Sequence, residues 1–114
     1  MQLEKHCKYD VQYYNGMLRR YAKTGEYIAR VRWDFIAEYN PRLLLDYGSG
    51  LGFFAAWAPE GICVDTYDIG TFVTTGIKHE KYDMFCLWDV LEHLSDFSCL
   101  GEHLVTTDYV ALTL

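Results

Sequence analysis

The chain is short of basic residues. Ten lysines and arginines stand against sixteen aspartates and glutamates, giving a net charge of −6 over 114 residues. A mainly electrostatic nucleic-acid binder needs a basic surface to meet phosphates, so nucleic acid is not an expected partner. Cysteine is scarce and scattered: Cys7, Cys63, Cys86 and Cys99 form no CxxC pair. That argues against a disulfide framework and against a zinc site, and no metal centre is expected. Cys63 and Cys86 sit in apolar, strand-like runs, where a thiol acts as a small hydrophobe. No apolar run approaches membrane-spanning length, and the opening MQLEKHCKYD has no signal-peptide core. A soluble, cytoplasmic protein with no membrane partner is the expectation. Repeats, low-complexity tracts and linkers are absent, and the prolines are only Pro41 and Pro59. What is plentiful is core material. A hydrophobic fraction of 51% and an aromatic fraction of 17% fit one packed domain.

Residues 1–16 show no clean period and read as an irregular arm or short helix ending at Asn15-Gly16. A helix is predicted over 17–39. Its apolar stripe is Ile28, Val31, Phe35 and Tyr39, with Arg30, Arg32, Asp34 and Glu38 largely off it. Thr24-Gly25 is a candidate break, and Asn40-Pro41 ends the helix because a residue before proline is pushed out of the helical region. Leu43 to Tyr47 is apolar on both faces, as a buried parallel strand requires. A short helix carrying Phe53 to Trp57 follows, stopped by Pro59-Glu60-Gly61. Ile62 to Tyr67 is the second strand and Tyr82 to Trp88 a further one. Between them, Phe72 to Thr75 reads either as a short strand or as loop. Ser95 or Asp96 is placed to cap a helix running to about Val105. Thr107 to Leu114 is the last strand. Strands alternating with helices predict a parallel sheet built from right-handed crossovers.

The stretch Leu43-Leu44-Leu45-Asp46-Tyr47-Gly48-Ser49-Gly50-Leu51-Gly52-Phe53-Phe54 organises the chemistry. An apolar strand ends in an acid, and three glycines follow at alternate positions. Glycine accepts positive φ and leaves no Cβ between backbone and ligand, so this turn suits a nucleotide-like cofactor. Ligands of open parallel sheets sit beyond the carboxyl ends of the strands. Two more predicted strands end in acids there, at Asp65 and Asp68, and at Asp89 with Glu92 and His93. Asp68 follows Gly48 by about 20 residues, the spacing expected of a carboxylate that holds ribose hydroxyls. Asp65 falls inside the strand and is the weaker choice. Gly50-Leu51-Gly52-Phe53-Phe54-Ala55 also fits the dinucleotide fingerprint, which keeps an NAD(P)- or FAD-dependent oxidoreductase in view. Asp46 separates the two. Its carboxylate would oppose a pyrophosphate and attract the α-ammonium group of S-adenosylmethionine, which carries no phosphate.

LLLDYGSGLGFF resembles motif I of class I S-adenosylmethionine-dependent methyltransferases, and YDMFCLWDVLEHLSDF is similar to the strand-four region of the branch with a DVLEH signature. The resemblance spans about residues 43–114. It implies a Rossmann-like α/β three-layer sandwich with a mostly parallel sheet. Residues 1–42 would form an N-terminal arm and helix, and 43–114 the core. It further implies that Asp46, Gly48, Gly50 and Gly52 surround the methionine part of the cofactor, with Ser49 where the family usually has a cysteine or other small residue. Asp68 would hold the ribose, Ile69 the adenine, and Trp88, Asp89 and Val90 would line the cofactor and open toward a small-molecule methyl acceptor.

His93 is the candidate catalytic residue, as a general base for the acceptor's proton. The alternative is that Glu92 and His93 only brace the loop. Methyl transfer relies largely on proximity and alignment, so a base is not obligatory. Tyr9, Tyr13, Tyr14 and Tyr21 could close over the cofactor, and Arg19, Arg20 or Arg30 could meet its carboxylate.

The family's last antiparallel hairpin has no counterpart here, and the core is expected to stop after the fifth strand of the family. A fragment, or a protein completed by a second copy through its last strand, would both fit. A catalytically inactive S-adenosylmethionine-binding module is a further alternative.

Overall fold

The structure is a computed structural model that describes residues 11–21, 24–68, 75–94, 98–101 and 106–113. Helix α1 spans Val11–Tyr21 and α2 Gly25–Ile36. Strand β1 spans Leu43–Tyr47, the short helix α3 Phe53–Ala56, β2 Cys63–Tyr67, β3 Tyr82–Trp88 and β4 Thr107–Thr113. The four strands form one sheet in the order β2-β1-β3-β4, and every pair is parallel. This is a Rossmann-like α/β domain with no antiparallel strand among the described residues.

The topology places a site before any side chain is considered. From β1 the chain steps outward to β2, then returns to the other side of β1 for β3. The carboxyl ends of β1 and β3 therefore flank the point where the winding reverses, and such a crevice is where ligands of open α/β sheets bind.

β1 is central because both of its faces are apolar. Leu44 and Leu45 point to opposite sides and are both 0% exposed. Leu44 joins Met84, Cys86, Trp88, Ala111, Phe54, Trp33 and Ile36 under the helices. Leu45 joins Tyr47, Phe85, Leu87, Val90, Leu94 and Leu100 on the far face, which is covered by 3₁₀ turns at Leu91–His93 and Ser98–Leu100. Asp83 fixes the start of β1, accepting hydrogen bonds from the backbone N–H groups of Arg42 and Leu43, each 2.9 Å long.

Several expectations for the helices need correction. α1 runs through Asn15-Gly16 instead of ending there. A single interior glycine costs a helix only about 1 kcal/mol relative to alanine, which is not a stop. The expected break at Thr24-Gly25 is present, with Thr24 at the N-terminus of α2. The buried stripe of α2 is Gly25, Ala29, Trp33 and Ile36, about 100° round the axis from the expected one. Val31, Phe35 and Tyr39 are exposed. The helix turns this way because Gly25 and Ala29 let it close onto α3: a Cβ at position 25 would lie 2.7 Å from the Phe53 ring. Trp33 then stacks on Phe54, centroids 4.2 Å apart, and its Nε1–H donates to the Phe54 carbonyl at 2.7 Å. Asn40, in the left-handed region at φ 49°, ends the segment after a 3₁₀ turn over Ala37–Tyr39.

β2 starts one residue later than expected, and Cys63, its first residue, is exposed; of the two cysteines expected to be buried, Cys86 is. The segment Phe72 to Thr75, read as either strand or loop, and the cap at Ser95 or Asp96 lie largely outside the described residues. Residues 75–81 form a loop that closes the β2 edge. Thr75 and Thr66 exchange backbone-to-hydroxyl bonds of 2.9 and 2.7 Å, and the Gly76 N–H donates to the Thr66 carbonyl at 2.9 Å. The β4 edge carries Tyr109, Val110 and Leu112 exposed, with Tyr109 against Tyr39. Among the described residues, no helix is long and apolar enough to cross a membrane.

Candidate ligand pocket at the β1–β3 switch point

The glycine loop is shaped by its own backbone bonds. The N–H groups of Gly48 and Ser49 both donate to the Tyr67 carbonyl, at 2.7 and 3.0 Å, so the loop begins by crossing toward the end of β2. Gly48, Gly50 and Gly52 all have positive φ, at 82°, 58° and 81°. At Gly48 a Cβ would lie 2.6 Å from a γ-methyl of Val90, so this crossing admits no side chain. The Gly50 N–H donates to Asp68 Oδ1 at 3.0 Å, fastening the loop to the residue that follows β2.

These elements enclose a cavity of about 490 Å³, within the range of small-molecule sites. Its floor is the carboxyl end of β1 with the glycine loop, its walls are Asp68 and the segment Trp88 to Val90, and α2 forms its roof. Asp46, Gly48, Ser49, Gly50, Gly52, Asp68, Trp88, Asp89, Val90 and His93, all named from the sequence, line it together. Ile69 lies outside the described residues. Asp65 is not part of this wall. It is buried on the other side of β2, where it accepts from the Tyr82 hydroxyl at 2.7 Å and the Lys78 N–H at 3.1 Å, and meets His79 Nδ1 at 2.7 Å. Burial alone would raise its pKa, but the bonds from His79, Tyr82 and Lys78 outweigh burial and hold it below the ordinary carboxylate value.

Asp46 is the unusual group. It is 1% exposed, and its Oδ1 has no hydrogen-bond partner. Burial raises its pKa from 3.8 to about 7, with Arg32 working against the rise and Asp68 adding to it. The indole Nε1–H of Trp88 is a second buried polar atom without a partner. Buried polar groups are normally paired, so the carboxyl end of the sheet holds an unmet acceptor and an unmet donor, both sealed from solvent.

Arg32 was not read as a site residue, because the expected stripe turned it to solvent. In the structure it lines the cavity, its guanidinium 5.1 Å from the Trp88 ring centroid and 3.2 Å from Asp89 Oδ2. The signal that finds it is the small-residue stripe Gly25 and Ala29, which sets the rotation of α2. Of the arginines proposed to meet a carboxylate, Arg20 lines the cavity. Arg30 instead pairs with Glu26 at 3.2 Å and sits over Trp57. Tyr13 of α1 also reaches the cavity, while Tyr9 lies outside the described residues.

Asp89 adopts φ 55°, a strained conformation for a residue with a side chain. Thr113 holds it there: the Asp89 N–H donates to the Thr113 Oγ1 at 3.0 Å, and the Thr113 hydroxyl donates to Asp89 Oδ1 at 2.8 Å. His93, on the 3₁₀ turn, lines the mouth, with Nε2 3.8 Å from Glu92. No family model, curated protein or solved structure matches the chain.

Proposed function

We propose that this domain binds S-adenosylmethionine and transfers its methyl group to an oxygen, nitrogen or carbon nucleophile of a small acceptor. The observation that carries this reading is Asp46: a buried carboxylate without a partner on Oδ1, at the foot of a glycine loop. A cation relieves its burial, as the α-ammonium group of the cofactor would. The pyrophosphate of a dinucleotide would be repelled there, which disfavours the oxidoreductase reading. In this reading Asp68 accepts from ribose hydroxyls while keeping its bond to the Gly50 N–H. The bound cofactor supplies an activated methyl group on a sulfonium, which leaves as a neutral thioether. The chain's own part is alignment and exclusion of water, with His93 of the cavity lining as the proposed base for the acceptor's proton. Calorimetry tests the reading. Heat of binding is expected with S-adenosylhomocysteine and none with NAD(H); binding of NAD(H) alone would sink it.

The bare β4 edge supports a further partner. Six of its seven residues pair with β3, none pairs on the other side among the described residues, and the strand carries a single charge, Asp108, with neither proline nor lysine to blunt the edge. Self-association through this strand is the proposed outcome. Light scattering should show apparent mass rising with protein concentration, and a constant monomer mass would count against it.

A further inference from the structure

Resting on the self-association proposed above, we propose that the partner is a single second copy of this chain, joined two-fold by antiparallel pairing of the β4 strands, with the exposed stripe Val31, Phe35 and Tyr39 of α2 and its following turn packed against its counterpart.

The bare edge calls for a strand, and β4 suits its own copy. The Thr113 carbonyl accepts from the Asp89 N–H on the β3 side. Backbone groups of successive strand residues point to alternate sides, so Asp108, Val110 and Leu112 turn theirs to the free edge. An antiparallel copy centred on Val110 overlaps the whole strand, bonding Val110 to Val110 and Asp108 to Leu112. The one charge of the strand then meets a leucine instead of its own copy. Tyr109 and Ala111 stand opposite Met84 and Cys86 and so share the face under α2. In the same pairing Tyr109 meets Ala111, a large side chain beside a small one. The other edge of the sheet is closed to this partner. On β2 the Thr66 N–H donates to Thr75 and the Thr66 carbonyl accepts from Gly76. Head-to-tail addition of β4 to β2 is therefore blocked, and the pairing closes at two.

The strand alone is a short contact, and a specific interface buries about 1,200 Å² or more in all. α2 supplies the remainder. It covers β3 and β4 through Met84, Cys86, Trp88 and Ala111. Arg30 sits over Trp57 and marks the α3 flank of the helix, while Tyr39 meets Tyr109 and marks the β4 flank. Phe35, one helical turn before Tyr39, is 61% exposed, and Val31 one turn earlier is 48% exposed. With strands about 4.8 Å apart, a helix lying over β3 and β4 comes roughly 10–14 Å from its two-fold copy. Bare helix packing needs about 8–10 Å, so the difference is a layer of large side chains. Val31, Phe35 and Tyr39 are that layer.

Sedimentation velocity on the native chain tests the stoichiometry and needs no variant: the mass should rise with concentration and stop at two chains. Val110→Pro removes the N–H at the centre of the new ladder, on the side away from β3, and should leave a monomer. Phe35→Glu changes an exposed side chain and sets two carboxylates against each other, so it should weaken the dimer roughly ten-fold or more. Oxidative cross-linking reads the register. Val110→Cys should give a covalent dimer faster than Asp108→Cys, because residue 110 faces its own copy at about 5.5 Å between Cα atoms, within disulfide reach. Residue 108 lies four residues along the strand from its own copy. Both variants carry the same native cysteines, so the difference between them is the readout. A native mass that climbs past two chains, a dimer that Phe35→Glu leaves unchanged, or equal cross-linking of the two cysteine variants would each overturn the two-fold arrangement. If Val110→Pro still abolishes association in those cases, pairing through β4 survives without it. A dimer untouched by Val110→Pro would put the interface elsewhere and overturn both. A constant monomer mass of the native chain would mean that the self-association reading itself has failed.

Discussion

Asp46→Asn is expected to stabilise the ligand-free protein in alkaline buffer and to cost it the cofactor. The carboxyl of Asp46 has its pKa raised from 3.8 to about 7, first by burial, with Arg32 only partly compensating. The folded state therefore holds this proton more tightly than the unfolded chain, and stability falls as pH rises between those values. The native protein is unpenalised by this group below its unfolded pKa and carries the full penalty above about 7. A shift of this size corresponds to about 4 kcal/mol as an upper figure. Asparagine cannot ionise, so the advantage of the variant should grow with pH from about 4 to about 7, by up to about 1.4 kcal/mol per pH unit, and level off above that. Urea unfolding at several pH values reads this directly, and a difference between the two proteins that stays flat with pH would refute it. Asp65 supplies the opposite sign. Its depressed pKa contributes stability above its unfolded value, lost on acidification, and Asp46→Asn leaves that limb unchanged.

The same proton links Asp46 to its ligand. Pairing with an ammonium requires the ionised form, so binding below pH 7 must release a proton. Affinity for S-adenosylhomocysteine should rise by up to about tenfold per pH unit and level off above 7. The asparagine variant should bind weakly and without that slope. The group that favours the ligand is thus the group that burdens the empty fold, a conflict usual at functional sites.

Where the sequence was legible, the reason is burial on both faces. β1 and β3 run at their expected bounds because every apolar residue in Leu43 to Tyr47 and Tyr82 to Trp88 has a packed side waiting for it. The glycine loop was legible because three glycines after an acid have few other uses. α2 was misread because it carries two apolar stripes, and hydropathy favours the one with Val31, Phe35 and Tyr39. Closeness of approach decides instead, through two small residues, Gly25 and Ala29, that offer little apolar surface of their own. Arg32 disappeared from the expected site with that rotation. The left-handed turn at Asp89 gave no local signal either, since it is imposed from 24 residues away by Thr113.

Gly48→Ala should be strongly destabilising. Two costs coincide at this position. The backbone stands at φ 82°, where a side chain costs roughly 1–2 kcal/mol. The new Cβ also falls 2.6 Å from a γ-methyl of Val90, a stiff and buried neighbour, and such overpacking costs about 1–3 kcal/mol. The loop cannot move aside cheaply, because Gly48 and Ser49 are both bonded to Tyr67 and Gly50 to Asp68. A total loss of about 2–5 kcal/mol is expected from the two together. Val90→Ala separates them. Combined with Gly48→Ala it removes the clash and leaves the φ cost, so the double variant should be more stable than the two single losses add up to, by about the packing cost. Strict additivity would mean that Val90 yields freely and the strain is all in the backbone. A Gly48→Ala protein within about 0.5 kcal/mol of native, the scale of neutral surface changes, would show that the loop does not need its glycine. Binding of S-adenosylhomocysteine divides the remaining cases. If the double variant recovers the fold and the ligand together, the glycine serves packing. If it recovers the fold alone, the missing Cβ is space that the ligand itself occupies.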